Sequence, residues 1–568
     1  MTDDARVGMT LNYLVDVSCE KHGDLGAIGM AGETPLTYRQ LYERICAMAN
    51  QLLADGAGKG DHIAILASNS HHWAVAYLGL VRIGAVAVPI LPDLPEADVH
   101  HILTEMKVKT IFTTAQQIEK LYEMGEDRPE RIITLDDHAE SGEVLTTISF
   151  SAYMETALAA YRERIEQENP PDFPEVAEDD LASILYTSGT SGFSKAVMLT
   201  HKNLTANAYA LPTLMDIGPG SVFLSILPMS HTYEFTAGFI LPLIIGARIA
   251  YAGKTPTPAI LQNLCGHEKP HMMFAVPLVL EKIYKKRVLP KVEKSTVMRL
   301  LYKTNFTRRY INRKIGAKLK EFFGGNLLMM GIGGAALNPE VEQFLVEAKF
   351  PYLIGYGLTE ASPLIAGGPF GDPTIALGSV GKPIPGVQVK IDEPDPRTGV
   401  GEILARGPNI MRGYYNDEEA TAETITADGW LSTGDLGVVD KSGNLHVKGR
   451  CKNVIVMSSG ENVYPEPIEH KINSYQWVAE SLVLENNGRL DAWIYPDYEV
   501  IDELTAGQTE SQRRVFLHEL LETMRHEINT QLAVTSKLAK VFERREPFIK
   551  TATHKIKRYL YDGHAKIS

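Results

Sequence analysis

The sequence predicts an α/β fold, with parallel strands covered by helices on both faces, and three observations point there. Short apolar runs of strand character alternate with helix-period segments through the N-terminal half. The chain has 568 residues, 44% hydrophobic and 22% charged, which are globular values. That length exceeds one ordinary core, so several subdomains are expected.

Each element has a local reason. Thr34-Pro35 opens an amphipathic stretch from Leu36 to Leu53, a predicted helix, and the turn Gly56-Ala57-Gly58-Lys59-Gly60 leads into the predicted strand His62-Ile63-Ala64-Ile65-Leu66. His72 to Ile83 has helical periodicity and Ala85 to Ile90 strand character. Ser183 to Tyr186 is a further predicted strand, Val197-Met198-Leu199 another, and a helix is expected from Asn203. Phe235 to Ala247 is the most apolar segment. It spans about 13 residues, contains Pro242 and Gly246, and falls short of the roughly 20 that a bilayer span needs. It reads as a buried element. No internal repeat or low-complexity tract appears.

A net charge of -14 argues against nucleic-acid binding. The cysteines, at 19, 46, 265 and 451, lack metal-like spacing and read as reduced thiols. The start MTDDARVGMTLNYLVD has no basic n-region followed by an apolar core and a cleavage site, so a cytoplasmic protein is expected. One region reverses the overall sign. Residues 282–320 hold 14 Lys/Arg against a single acid, Glu293, interleaved with apolar residues such as Met298, Leu301 and Phe306. This suits an amphipathic helix on an anionic surface, giving a peripheral membrane contact. A solvated helical face paired with acids elsewhere, or a site for an acidic carrier protein, fits the same pattern.

The chemistry concentrates in YTSGTSGFSKAVMLTH, residues 186–201. Thr187, Ser188, Gly189, Thr190, Ser191 and Gly192 offer hydroxyls and backbone N–H groups at a turn, and such groups cradle phosphate oxygens. Lys195 adds a positive charge. A Walker A loop is excluded, because two residues separate Gly192 from Lys195 and Ala196 supplies no hydroxyl for magnesium. Downstream, Gly331-Ile332-Gly333-Gly334-Ala335-Ala336 matches a dinucleotide fingerprint. The strand that follows, Pro351 to Gly355, lacks the acidic residue that fingerprint requires.

The loop resembles the signature of the adenylate-forming superfamily, which includes acyl-CoA synthetases, luciferase and the adenylation domains of peptide synthetases. Further motifs follow in that family's order: LPMSHTYE (227–234), GIGGAAL (331–337), GYGLTE (355–360), STGDLG (432–437), GRCKNVIVMSSGENVYPEPIE (449–469) and KTATHKIKR (550–558). Seven ordered motifs over about 370 residues are far more specific than any one of them. Thr-Tyr-Glu after His231, and a lysine at 452 followed by SSGENVYPEPIE, look most like the long-chain fatty acyl-CoA synthetases. Residues 232–240 contain no Asp to pair with a substrate ammonium, which disfavours an amino-acid substrate.

The resemblance implies a large domain, residues 1–449, of parallel-type sheets covered by helices plus a β-barrel-like subdomain. It implies a hinge at 450–452 centred on Lys452, and a small mobile α/β domain, 453–568. It implies ATP, Mg²⁺ and coenzyme A, or the phosphopantetheine of a carrier protein, as cofactors. By the same resemblance the loop residues and Lys195 hold phosphate, with Thr187 also serving catalysis. Gly333, Gly334 and Ala335 let adenine approach the backbone, and Tyr356 stacks on it beside Gly357. Thr359 binds the α-phosphate, Glu360 holds Mg²⁺, and Asp435 with Arg450 holds the ribose. His231 lies beside the acyl and adenylate site, and Phe235 and Gly238 are candidates for the acyl site. Lys555 carries the first chemical step.

Three positions depart from the pattern: Ser194 stands where proline is usual, Ala196 where glycine is, and His554 where glycine precedes the lysine. These changes alter loop stiffness more than charge. The expected activity is ATP-dependent activation of a medium- or long-chain fatty acid to acyl-AMP, then transfer to coenzyme A. Transfer to an acyl carrier protein is the alternative, and a catalytically weak nucleotide- or lipid-binding homologue is a second.

Overall fold

The computed structural model describes residues 8–142, 145–187, 195–254, 256–293, 295–457, 461–551 and 555–561. Two eight-stranded sheets form the large domain. In the first, Tyr352–Gly357, Met329–Ile332, Met272–Ala275, Val222–Ser225, Arg248–Tyr251 and Gly26–Met30 run parallel. Short antiparallel strands, Leu364–Gly367 and Leu36–Thr37, close its two edges. In the second sheet, Leu181–Thr187, Val86–Ile90, His62–Leu66, Thr110–Thr113, Arg131–Thr134 and Ile148–Ser149 run parallel. Lys195–Thr200 and then Gly413–Tyr414 add to it antiparallel.

Strand periodicity explains the layering, because alternate side chains enter different cores. Phe223, Ile249, Met272, Phe274 and Met329 of the first sheet share a core with Ile63, Ile65, Ala87, Phe112 and Val197 of the second. The helices Leu11–His22, Tyr38–Ala54, His71–Arg82 and His201–Ala210 fill the space between. Leu224, Ala250, Met273 and Met330 face the opposite way, onto Pro258–Glu268, Asn305–Phe322 and Pro339–Glu347. Ala64, Leu66, Val86, Val88 and Ile111 do the same onto Glu96–Glu105. The sheets are thus buried on both faces, as parallel sheets require.

Some boundaries move for identifiable reasons. The helix expected from Asn203 begins at His201, because Thr200 accepts from Asn203 N at 3.1 Å and the Asn203 side chain returns to Thr200 N at 2.9 Å. That reciprocal cap fixes the start two residues earlier. Leu36 and Thr37 pair as an edge strand before the helix, which runs Tyr38–Ala54. Phe235 to Ala247 is a buried element as expected, but it begins as a π-helix over Glu234–Ile240.

The β-barrel-like subdomain is an open sheet. Gln388–Asp392, Gly401–Arg406, Leu431–Val439 and Leu445–Arg450 form a four-stranded antiparallel meander whose outer strands do not pair, so no barrel closes. A 3₁₀ turn, Cys451–Asn453, follows it and leaves Lys452 exposed. The smaller C-terminal domain holds Val478–Asn486, Arg489–Pro496 and Leu538–Glu543, packed on Pro465–Asn473 and Glu510–Asn529 around their own cores. All four cysteines are free. Among the described residues no helix is long and apolar enough to cross a membrane.

Candidate active site

The motifs of the first sheet converge where its strands end, the place an α/β sheet offers a ligand. Tyr352–Gly357 delivers Tyr356 and Gly357, and the turn after it delivers Thr359 and Glu360. A glycine is required at 357, since a Cβ there would lie 1.9 Å from Pro363 O. The turn is pinned by amides. Asn207 Nδ2 and Asn409 Nδ2 both donate to the carbonyls of Ala361 and Leu364, at 2.8–3.2 Å, and Thr236 Oγ1 donates to Ser362 O at 2.9 Å. Asn203 holds the neighbouring segment through Pro408 O and Ile410 O.

That segment brings in a residue the motifs did not reveal. Met411 N donates to Glu360 O at 2.8 Å, and Tyr414, on the short strand beside Lys195–Thr200, donates its hydroxyl to Glu360 Oε1 at 3.0 Å. Lys195 Nζ lies 4.5 Å from the Tyr414 ring centroid, a cation–π contact. Thr187 and Lys195 are paired across their strands, with Thr187 Oγ1 donating to Lys195 O at 3.4 Å. Tyr414, Lys195, Thr187 and Glu360 therefore border one space. Ser188, Gly189, Thr190, Ser191, Gly192, Ser194 and His554 lie outside the described residues, while Ala196 is buried in the strand.

On the opposite side, Asp435 and Arg450 face each other across adjacent strands, Arg450 Nε donating to Asp435 Oδ1 at 2.8 Å. Tyr356 Oη donates to Asp435 Oδ2 at 2.8 Å. Burial raises the pKa of the Asp435 carboxyl, and the Arg450 guanidinium opposes that rise. Gly334 takes φ +86°, and Gly334 and Ala335 form an exposed ledge. Beneath them, a Cβ at Gly333 would press to 3.2 Å on the Tyr233 ring.

Lys555 of the small domain reaches this site. Its pKa is lowered by the protein atoms crowding its cleft and by the Arg450 charge, against the opposing pull of Asp435 and Glu360. The domains also touch through Asn338 Nδ2 to His470 O at 3.0 Å and Lys285 Nζ to Val478 O at 3.2 Å. His231 feels Lys555 too. Burial first, then the lysine charge, push its imidazole down to about 4, so it is neutral at pH 7. Its Nδ1 accepts from Tyr233 N at 3.3 Å.

Two residues beyond His231, Tyr233 lines an apolar cavity of about 40 Å³ together with Thr236, Ala237, Phe274, Gly331 and Gly355 among others. Phe235 and Gly238 are placed elsewhere. Phe235 packs on Tyr77 at 4.7 Å and on Trp73 and Phe239, and a Cβ at Gly238 would lie 2.5 Å from the Glu234 carboxyl. The π-helix accounts for this, because its wider turn rotates the intervening Thr236 and Ala237 to the cavity. Glu234 is 1% exposed, and burial raises its carboxyl to about 8 against the opposing pull of the Ser225 hydroxyl.

Residues 15–415 match a family model described as AMP-binding enzyme. The Long-chain-fatty-acid--CoA ligase heimdall of Drosophila melanogaster is 31% identical over 500 residues, covering 80% of this chain and 71% of that protein. Long chain acyl-CoA synthetase 7, peroxisomal, of Arabidopsis thaliana is 29% identical over 506 residues, covering 83% of this chain and 70% of that one. Among solved structures, the anthranilate CoA ligase AuaEII in complex with anthranoyl-AMP superimposes with a TM-score of 0.78 at 18% identity, covering 98% and 97% of the two chains. O-succinylbenzoate Coenzyme A Synthetase (MenE) from Bacillus subtilis, in complex with ATP and magnesium ion, gives 0.70 at 23% identity, covering 96% and 98%. At those identities the structural likeness establishes the fold. The family match, which spans most of the chain and contains the Thr187, Glu360 and His231 motifs, shows that this chain belongs to the AMP-binding enzymes, the adenylate-forming ligases.

Proposed function

We propose that the chain activates a medium- or long-chain fatty acid with ATP, forming acyl-AMP and pyrophosphate, and then transfers the acyl group to coenzyme A. The observation that carries this reading is the convergence of Lys555, Glu360, Asp435 and Arg450 on one cleft beside an apolar cavity. The fatty-acid ligases among its relatives support the substrate class.

The residues divide the work by charge. Asp435 accepts the ribose hydroxyls, with Arg450 holding the carboxylate in place and favouring its ionised form against burial. Adenine lies on the Gly333-Gly334-Ala335 ledge against Tyr356 and Gly357. Thr187, the loop after it and Lys195 hold the β- and γ-phosphates, and Thr359 holds the α-phosphate. Magnesium takes one or two carboxylates and completes its shell with phosphate oxygens and water. Glu360 fits that role: it is a single carboxylate oriented by Tyr414, and no cluster of three or more His, Cys, Asp or Glu exists among the described residues to bind a metal alone. The ion supplies charge neutralisation between two anionic reactants.

Lys555 donates to the oxygens where negative charge builds as carboxylate oxygen attacks the α-phosphorus. His231, neutral and next to that ammonium, shapes the passage between the acyl and nucleotide sites without adding a second positive charge. The cavity of about 40 Å³ has room for only a methylene or two, so its side chains move when an acyl tail enters. Rotation of the small domain about Lys452 then removes Lys555 and admits a thiol.

The test is fatty-acid-dependent ATP–pyrophosphate exchange over a chain-length series, followed by thioester formation with coenzyme A or with an acyl carrier protein. Exchange that peaks at medium or long chains, with coenzyme A as acceptor, is the expected result. No exchange with any acid would overturn the reading in favour of a binding role.

A further inference from the structure

The helices Thr296–Lys303 and Asn305–Phe322 form an edge with an unusual outer face. No residue of Thr296–Lys303 is buried. Val297, Leu300 and Leu301 lie at i, i+3 and i+4, on one helical face, and are 66%, 67% and 40% exposed. Phe306 is 85% exposed and Tyr310 57%. The inner faces are fully accounted for: Tyr302 Oη donates to Asn312 Oδ1 at 2.9 Å, Arg308 pairs with Glu347 at 2.7 Å, and Gly316 packs against Ala348. Among the described residues these outer apolar side chains thus leave much of their surface uncovered, and such a patch marks a docking surface.

Cations flank it. Arg299, Lys303, Arg309, Arg313 and Lys314 are exposed, and among the described residues none of them pairs with a carboxylate. Lys314 lies over the Tyr310 ring at 4.7 Å. This positive face belongs to a chain of net charge -14.

We propose that Thr296–Lys303, with Phe306 and Tyr310, docks the protein on an anionic lipid bilayer, the apolar side chains entering the interface while the Arg and Lys side chains engage lipid phosphates. An acidic protein would satisfy the cations alone, whereas a bilayer interface satisfies both the cations and the apolar stripe. The geometry stands apart from the catalytic reading. The benefit rests on that reading, because a fatty acid partitions into bilayers and would enter the enzyme from one.

Sedimentation of the full chain with vesicles tests this, comparing phosphatidylcholine alone with phosphatidylcholine containing phosphatidylglycerol. Binding to the anionic vesicles only, weakened by salt, is expected. Leu300→Gln with Phe306→Gln, and separately Arg299→Glu with Arg313→Glu, should each lower partitioning by about tenfold or more. Pyrophosphate exchange with a water-soluble acid should be unchanged in both. Equal binding to neutral vesicles, or no effect of either pair, overturns the proposal. So does capture by acyl carrier protein that is lost in the charge variant and kept in the apolar one, or self-association through this face without vesicle binding. Loss of exchange with vesicle binding intact would count against the catalytic reading instead.

Discussion

Tyr414 and Glu360 lie 54 positions apart in the chain, and the Tyr414 hydroxyl donates to Glu360 Oε1 at 3.0 Å. The bond links the edge strand of one sheet to the strand end of the other, and it sets the direction in which the carboxylate points. Lys195 sits on the face of the same ring, so one tyrosine touches both the anion and the cation assigned to the triphosphate and its metal.

Tyr414→Phe keeps the ring under Lys195 and removes only the hydroxyl. A hydrogen bond to a charged group is worth about 1.5 kcal/mol or more, roughly tenfold. Pyrophosphate exchange should fall by about that factor, and the Mg²⁺ concentration needed for half-maximal exchange should rise. A magnesium titration of exchange reads both effects, while the melting temperature stays close to that of the parent chain.

Asp435→Asn breaks the ion pair with Arg450 and weakens the contact with Tyr356, each at 2.8 Å. The KM for ATP should rise by about ten- to thirtyfold, an effect of about 2 kcal/mol, with a smaller change in kcat. Initial rates over an ATP series at saturating acid measure it. A fall in kcat alone would place Asp435 in the chemical step rather than in ribose binding.

Glu234 makes stability depend on pH. Its folded pKa is raised from 4.5 to about 8, so between those values the native state keeps a proton that the unfolded chain has released. Stability attributable to this group therefore falls as pH rises through that window and levels off above about 8. Glu234→Gln removes the titration, and the slope of Tm against pH across the window should become shallower. Parallel slopes in the two proteins would show that Glu234 does not titrate there.

Much of this architecture is legible in the sequence because it is local. His62 to Leu66 is a strand, as its short apolar run after the glycine turn implies, and Asp435 and Arg450, each read from a motif, meet across adjacent strands. What escaped depends on contacts distant in sequence. Nothing around Tyr414 marks it as a partner of Glu360, since the pairing follows from an edge strand joining a sheet laid down some 200 residues earlier. Asn207 and Asn409, which pin the Glu360 turn, read as ordinary helix and loop residues. The π-helix at Glu234–Ile240 shifts Thr236 and Ala237 to the cavity in place of Phe235 and Gly238, and hydrophobic spacing tuned to an α-helix cannot show that shift. The unclosed meander is a matter of edge pairing, to which strand periodicity is blind.

The central claim is that Lys555 serves acyl-adenylate formation and leaves before thioester formation. Lys555→Ala tests it when the two half-reactions are measured separately, as ATP–pyrophosphate exchange and as thioester release from presynthesised acyl-adenylate and coenzyme A. Exchange should fall by roughly 100- to 1000-fold, the loss of about 3 to 4 kcal/mol of electrostatic stabilisation, while the second half-reaction keeps its rate. Exchange at the parent rate, or an equal loss in both half-reactions, would contradict the account.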